Sequence, residues 1–254
     1  MASKLSTISV VMPAYNLESK IKNTIINTNE SLKNINCDYE IIVVDDGSKD
    51  ATRKIAESVK NSNVRVLSYD VNQGKGFALT MGAINAVSDY VIFIDGDGDI
   101  NNKTLNRFIS ALKHADIVIG SKQHPKSIVD VPVLRKFLSL GFNVLVRLVT
   151  GINLWDTQVG FKAFRRDALV DIMKLVTVRK YAFDVEVLTI ASILNKKMVV
   201  VPVEIHGDAL FGIRNIVRMF VDIMGITYRL RINKWYQKNY KKPIPQKYKP
   251  IIKW

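Results

Sequence analysis

Five short runs rich in β-branched residues, separated by longer segments of helical period, constrain this chain more than any other feature. The runs are "ISVVMPA" (8–14), "YEIIVVDD" (39–46), "VRVLSY" (64–69), "DYVIFID" (89–95) and "ADIVIGS" (115–121), and the segments between them predict helices near 17–34, 50–61, 75–87 and 102–113. Near-continuous Val and Ile leave a strand no polar face, so each run must be covered on both sides, and alternation with helices provides that cover in a parallel sheet. The fold class expected is therefore α/β, Rossmann-like, with a mostly parallel central sheet and helices on both faces. Ligands of such sheets sit beyond the carboxyl ends of the strands. "PAYN", "DDGS" and "DGDGD" all fall at those ends, so three polar clusters converge on one crevice.

The second half has a different rhythm. It predicts a helix at 134–149, one following "GFKAF" (161–175), another at 183–194, a strand "MVVVPVEI" (198–205) and a basic amphipathic segment from about 209 to 236. Residues 1–208 are read as one catalytic domain and 209–254 as a basic amphipathic helix and tail lying on a membrane surface. After Asp222 there is no acidic residue against nine Lys and Arg, interleaved with Trp235, Tyr236, Tyr240, Tyr248 and Trp254. Lysines mixed with aromatics suit the headgroup boundary of an anionic bilayer. No spanning helix is expected, because the longest apolar stretches are short or carry Arg147, Arg218 and Asp222. The N-terminal apolar run breaks at Pro13 and lacks the flanks of a signal peptide, and one cysteine, Cys37, excludes an intrachain disulfide. These features together predict a protein on the cytoplasmic face of a membrane.

The formal charge of +14 over 254 residues calls for an anionic partner: nucleic acid, a phosphorylated substrate or an anionic membrane. A nucleic-acid-binding module would leave the convergent acidic clusters unexplained, since carboxylates repel phosphates unless a metal intervenes. No nucleic acid is expected as a partner.

The acidic clusters carry most of the chemistry. Asp95, Asp97 and Asp99 alternate in "FIDGDGD". Repulsion among them is relieved by a cation, although an Asp- and Gly-rich turn has the same composition. An EF-hand is excluded by Ile100 and Asn106 where the loop requires glycine and glutamate. Mg2+ or Mn2+ shared with substrate phosphate fits oxygen ligands better. Asp45 and Asp46 close the second strand, where an acidic residue commonly meets a ribose or base, although Asp-Gly-Ser is also an ordinary capping turn. Neither G-x-G-x-x-G nor a Walker A loop is present, against a dinucleotide cofactor or a P-loop ATPase. "NQGKGFAL" (72–79) opens a helix with Lys75 between two glycines, which suits phosphate as well as it suits a loop needing positive φ. His114, His124 and His206 lack zinc spacing.

In this order and spacing, "SVVMPAYN", "IIVVDDGSKDAT", "NQGKGFAL" and "FIDGDGD" resemble the A-type nucleotide-sugar glycosyltransferases of family 2. "RKFLS" (135–139), "DTQVGFKAFRRD" (156–167), "FDVEVL" (183–188) and "VPVEI" resemble the branch that loads glucose or mannose on dolichyl phosphate. The resemblance implies a nucleotide-sugar-binding fold in which Pro13, Tyr15, Glu18, Val44 and Asp46 line the nucleoside pocket. It implies a metal held by Asp95 and Asp97, with Asp99 as a further ligand where relatives often have glutamine. Lys122 stands where the family usually has arginine, keeping the charge without the bidentate fork. Arg135 and Ser139 match the pair that meets the acceptor phosphate, and Asp156 in "DTQ" is a catalytic candidate that orients donor hydroxyls or serves, equally, as a cap or ion pair. Asp184 and Glu186 either orient donor hydroxyls or serve as caps and ion pairs. In place of the basic stretch that commonly follows the last strand, this chain has "HGDALFGI", leaving His206 and Arg214 as substitutes.

The activity implied is inverting transfer of a hexose from a nucleotide sugar, UDP-glucose ahead of GDP-mannose, to a dolichyl or polyprenyl phosphate. Family 2 transfer to a soluble or polysaccharide acceptor is the alternative; the Gln-x-x-Arg-Trp motif of processive synthases is missing.

Overall fold

The computed structural model describes residues 7–35, 37–59, 61–97, 102–130, 133–152, 159–206 and 213–240. The strands are β1 (Ile8–Ala14), β2 (Tyr39–Asp45), β3 (Val64–Ser68), β4 (Tyr90–Phe93), β5 (Ile117–Ser121), β6 (Ile128–Asp130), β7 (Lys162–Arg165), β8 (Met198–Pro202) and β9 (Glu204–His206). The helices are α1 (Ile21–Lys33), α2 (Thr52–Ser58), α3 (Lys75–Asn85), α4 (Asn102–Leu112), α5 (Val133–Thr150), α6 (Arg166–Met173), α7 (Phe183–Ile193), α8 (Ile213–Thr227) and α9 (Trp235–Asn239), with a π-helical turn Tyr228–Ile232 between the last two.

Seven strands form one sheet in the order β3-β2-β1-β4-β7-β5-β8, and β6 and β9 pair separately. Every pairing in the large sheet is parallel except those of β7, which runs antiparallel to both β4 and β5. The continuous apolar runs are explained by cover on two sides. Val11, Ile42, Val44, Val91 and Phe93 face a cluster that includes residues of α3, α6, α7 and α8. Their neighbours Val10, Met12, Ile41, Val43 and Ile92 face α1 and α4 through Ile21, Ile25, Leu105 and Phe108.

Register sets the site. Pro13 pairs with Val44 and Ala14 with Asp45, so "PAYN" and "DDGS" leave the sheet side by side. Regular pairing of β4 ends at Phe93, opposite Val11, two residues earlier than the pattern predicted. Asp95 and Asp97 therefore sit on a loop beside the end of β1, free of the ladder's alternation.

Two segments depart from expectation. "KAFR" opens the stretch assigned to a helix, yet Lys162–Arg165 forms a strand in the middle of the sheet. Four residues are too few for periodicity to distinguish strand from helix, and pairing on both edges decides it. The composition that separates residues 209–254 also hides their packing: Met219, Ile223, Ile226 and the fully buried Tyr236 belong to the same core cluster as β1 and β4.

Candidate active site

A cleft of about 530 Å³ lies at the carboxyl ends of β1, β2 and β4, within the usual range for a small-molecule site. Pro13, Tyr15, Asp46, Lys75, Asp95 and Asp97 line it, as the sequence pattern expects, together with Asp184. Lys180 and Tyr181 from the loop before α7, and Arg218 and Met219 from α8, complete the wall.

Asp46 is an organiser of this wall. Its Oδ1 accepts hydrogen bonds from the Tyr69 hydroxyl and the Gln73 N–H, both 2.8 Å, and its Oδ2 from Asn72 Nδ2 and the Gly74 N–H, both 2.9 Å. Burial pushes its carboxyl up, with the charge of Asp45 adding, against the pull of those donors. The four bonds fix the loop 72–74 and hence the start of α3. Gly74 has φ +101, and a Cβ there would press on the carbonyl of Arg179 and the side chain of Lys180. Only glycine lets these two loops meet so closely. The Phe77 N–H donates to the Arg179 carbonyl at 3.0 Å, and Arg179 Nη1 reaches Gln73 Oε1 at 2.9 Å.

Lys75, the first residue of α3, binds Asp95 Oδ1 at 2.5 Å. Burial opposes the charge of Lys75, but Asp95, Asp184 and Asp97 outweigh it and raise its pKa. Burial likewise works against ionised Asp95, yet Lys75, then Lys162 and Lys122, hold its carboxyl below the usual range. A Cβ at Gly160 would overlap this carboxylate, so glycine there leaves the space Asp95 fills. Asp95 is thus ionised and Asp97 shares its cleft, an oxygen donor set that suits a hard divalent cation. Among the described residues no group of three His, Cys, Asp or Glu forms a closed metal cage. Substrate oxygens would complete the coordination shell, as is usual for magnesium.

Lys162 was not anticipated. It is fully buried on β7, binds Asp184 Oδ1 at 2.8 Å and also donates to the Val159 carbonyl. It sits behind the carboxylates as a fixed cation, holding Asp184 in the first turn of α7. Glu186, two residues further in the same first turn, faces away from the cleft. It accepts from the Thr177 N–H and hydroxyl, the Val178 N–H, the Tyr236 hydroxyl at 2.6 Å and Arg229 at 3.2 Å. This wholly buried carboxylate clasps the chain after α8 to the loop that carries Lys180.

Two expected pocket residues are placed elsewhere. Val44 is fully buried on the sheet face that α3 covers, as strand alternation requires. Glu18 is exposed, and its carboxylate accepts the Ala51 N–H at 2.9 Å at the start of α2, where unpaired backbone donors attract it. Lys122 acts on Asp95 through its charge. Arg135 and Ser139 lie on α5, but their side chains are outside the described set, as are Asp99 and Asp156 entirely. Arg218 carried no sequence signal beyond its place on an amphipathic segment.

The glycosyl transferase family 2 pattern matches residues 9–173. A dolichyl-phosphate beta-glucosyltransferase of Dictyostelium discoideum is 34% identical, covering 90% of this chain and 76% of that protein. The dolichyl-phosphate beta-glucosyltransferase of Homo sapiens is 32% identical over 92% of this chain and 78% of its own length. Among solved structures, glucosyl-3-phosphoglycerate synthase of Mycobacterium tuberculosis, in complex with Mn2+, UDP-glucose and phosphoglyceric acid, superposes with a TM-score of 0.66 at 21% identity, covering 88% of this chain and 79% of that one. It shares the fold.

Proposed function

Because this chain belongs to glycosyl transferase family 2, we propose that it transfers glucose, with inversion, from UDP-glucose to a dolichyl or polyprenyl phosphate, using Mg2+ or Mn2+. The observation that carries the reading is the cleft itself. Asp95, held ionised by Lys75, and Asp97 follow β4 into a cleft that Lys75, Lys180 and Arg218 also line, and relatives covering nine-tenths of the chain are named for this activity.

The nucleoside lies against Pro13 and Tyr15, in a pocket whose floor Asp46 organises. Asp95 and Asp97 hold the divalent ion, which supplies neutralisation of the charge on the departing diphosphate. Lys75 adds a cation at the start of α3, where the helix N-terminus also favours phosphate. Asp184, fixed through one oxygen by Lys162, has its second oxygen for a donor sugar hydroxyl. The acceptor, a phosphate monoester whose second pKa is near 6, is already a dianion at neutral pH and needs no general base. It needs cations that bring two anions together, the role proposed for Lys122 and Arg135. Its attack opposite the diphosphate converts an α-linked donor into a β-linked product.

The membrane is the proposed site of action. No described helix is long and apolar enough to cross a bilayer, but α5 leaves Leu140, Val144 and Leu148 exposed and the chain carries +14. Cationic surfaces with exposed apolar side chains bind anionic leaflets peripherally.

The test is incubation of the full chain with dolichyl phosphate, Mg2+ or Mn2+, and radiolabelled UDP-glucose, GDP-mannose or UDP-N-acetylglucosamine. Label entering the lipid phase from UDP-glucose, and lost with EDTA, is expected. No lipid label from any donor rejects the proposal, and label from GDP-mannose alone moves the donor to the mannosyl branch.

A further inference from the structure

The helix α8 and the π-helical turn that continues it present three distinct faces. Met219, Ile223 and Ile226 are buried in the core. On one flank, at helical spacing, come Arg218, Asp222 and Arg229. Asp222 is half-buried near the Ala182 N–H at the start of α7, and Arg229 binds Glu186 at 3.2 Å. Both face the protein, whereas Arg218 is exposed and lines the cleft. The third face, spaced i, i+4, i+7 and i+11, is an apolar stripe open to solvent: Val217 is 58% exposed, Val221 63%, Met224 47% and Tyr228 53%. Side chains three and four apart on a helix are neighbours, so Arg218 stands against Val221 where the cleft that Arg218 and Lys180 line meets the stripe.

We propose that Arg218, with Lys180, docks the phosphate of the lipid acceptor, and that the stripe Val217, Val221, Met224 and Tyr228 takes the first part of its hydrocarbon chain. The inference rests on the lipid-phosphate reading above and assigns it a specificity-determining residue. A polyprenyl phosphate is an amphiphile, a dianion joined to an apolar chain, and the flank and stripe of α8 reproduce that pairing in order. Arginine's planar fork suits two phosphate oxygens at once. Lys75 is bound to Asp95 at 2.5 Å and serves the donor side. From Val217 to Tyr228 the stripe runs about 17 Å along the helix at roughly 1.5 Å per residue, enough to distinguish a long chain from a short one.

The test uses the full chain in detergent micelles, which removes any contribution from docking on a bilayer. Initial rates are measured with dolichyl phosphate and with geranyl phosphate, for wild type, Arg218→Ala, Arg218→Lys and the double variant Val221→Ser/Met224→Ser. Arg218→Ala is expected to raise KM for both acceptors by about tenfold to a hundredfold, the loss typical of a charge-assisted contact. The KM for UDP-glucose should stay within twofold, and lysine should restore part of the loss. The double variant should raise KM for dolichyl phosphate several times more than for geranyl phosphate. All of these positions are exposed, so unchanged thermal melts are expected and serve as the folding control.

An acceptor KM unchanged by Arg218→Ala, or a rise confined to UDP-glucose, overturns the phosphate assignment. Equal effects of the double variant on both acceptors, or a loss of vesicle binding without a loss of transfer in micelles, overturn the stripe and leave it as membrane contact. Should wild type label neither acceptor, the lipid-phosphate reading falls and this inference falls with it.

Discussion

Replacing Lys162 by methionine removes the buried partner of Asp184. Lys162 is 1% exposed and its partner Asp184 10% at the side chain, so Asp184 would be left as a buried charge without its counterion. Breaking a buried pair by removing one partner costs about 3–5 kcal/mol, a large part of the roughly 5–15 kcal/mol that holds a domain folded. For a domain of this size each kcal/mol moves the melting temperature by about 2–4 °C, so Lys162→Met should melt some ~6–20 °C lower by circular dichroism. Adding Asp184→Leu to Lys162→Met removes the orphaned charge, and most of the lost stability should return without any return of transfer activity. The same cation helps hold Asp95 below the usual carboxylate range, so any residual activity of Lys162→Met should lose its acid limb at a higher pH. A single variant that melts within about 3 °C of wild type, or a double variant no more stable than the single, would refute the view that Lys162 and Asp184 form a coupled buried pair.

Other consequences follow from the same contacts. Asp97→Ala should abolish transfer while leaving the melting temperature within about 2 °C, because Asp97 lines the cleft and supports no packing; retained activity contradicts its place at the metal. Tyr236→Phe deletes a 2.6 Å bond to wholly buried Glu186 and should cost about 1–3 kcal/mol in urea denaturation, and an unchanged midpoint would show that the clasp does not hold the C-terminal segment. The depressed pKa of Asp95 contributes stability that is present above its unfolded value near 3.9 and lost as pH falls through the folded value. Lys75→Met should therefore flatten the acid end of the stability profile, and an unchanged profile counts against the Lys75–Asp95 pair. Sedimentation with anionic vesicles should be strong at low salt and weaken as salt screens the +14 charge; salt-independent binding would place the attraction in apolar contacts alone.

The sheet was legible because Val and Ile runs leave few alternatives, and its register then brought Asp46, Asp95 and Asp97 to one cleft. What stayed hidden depended on contacts between distant segments. Lys162 lies in four residues whose strand character comes only from pairing with β4 and β5, and a lysine between Phe161 and Ala163 gives no sign that Asp184 waits behind it. Glu186 and Tyr236 are fifty residues apart, and nothing local marks either as half of a clasp. Arg218 shares its helical flank with Asp222 and Arg229, and only the packing of α8 against α7 shows which of these side chains reaches the cleft. Glu18 and Val44 failed in the opposite way: both stand in cleft-forming motifs, but cap chemistry and strand alternation turn their side chains elsewhere.

The central claim is that a lipid phosphate receives the sugar. The shared fold of a synthase crystallised with UDP-glucose and phosphoglyceric acid makes the sharpest contrast a competition between acceptors. With labelled UDP-glucose, Mn2+ and equal concentrations of dolichyl phosphate and 3-phosphoglycerate, the account predicts label in the organic phase, in a β-linked lipid product; label appearing instead in a water-soluble glucosyl-phosphoglycerate would contradict it.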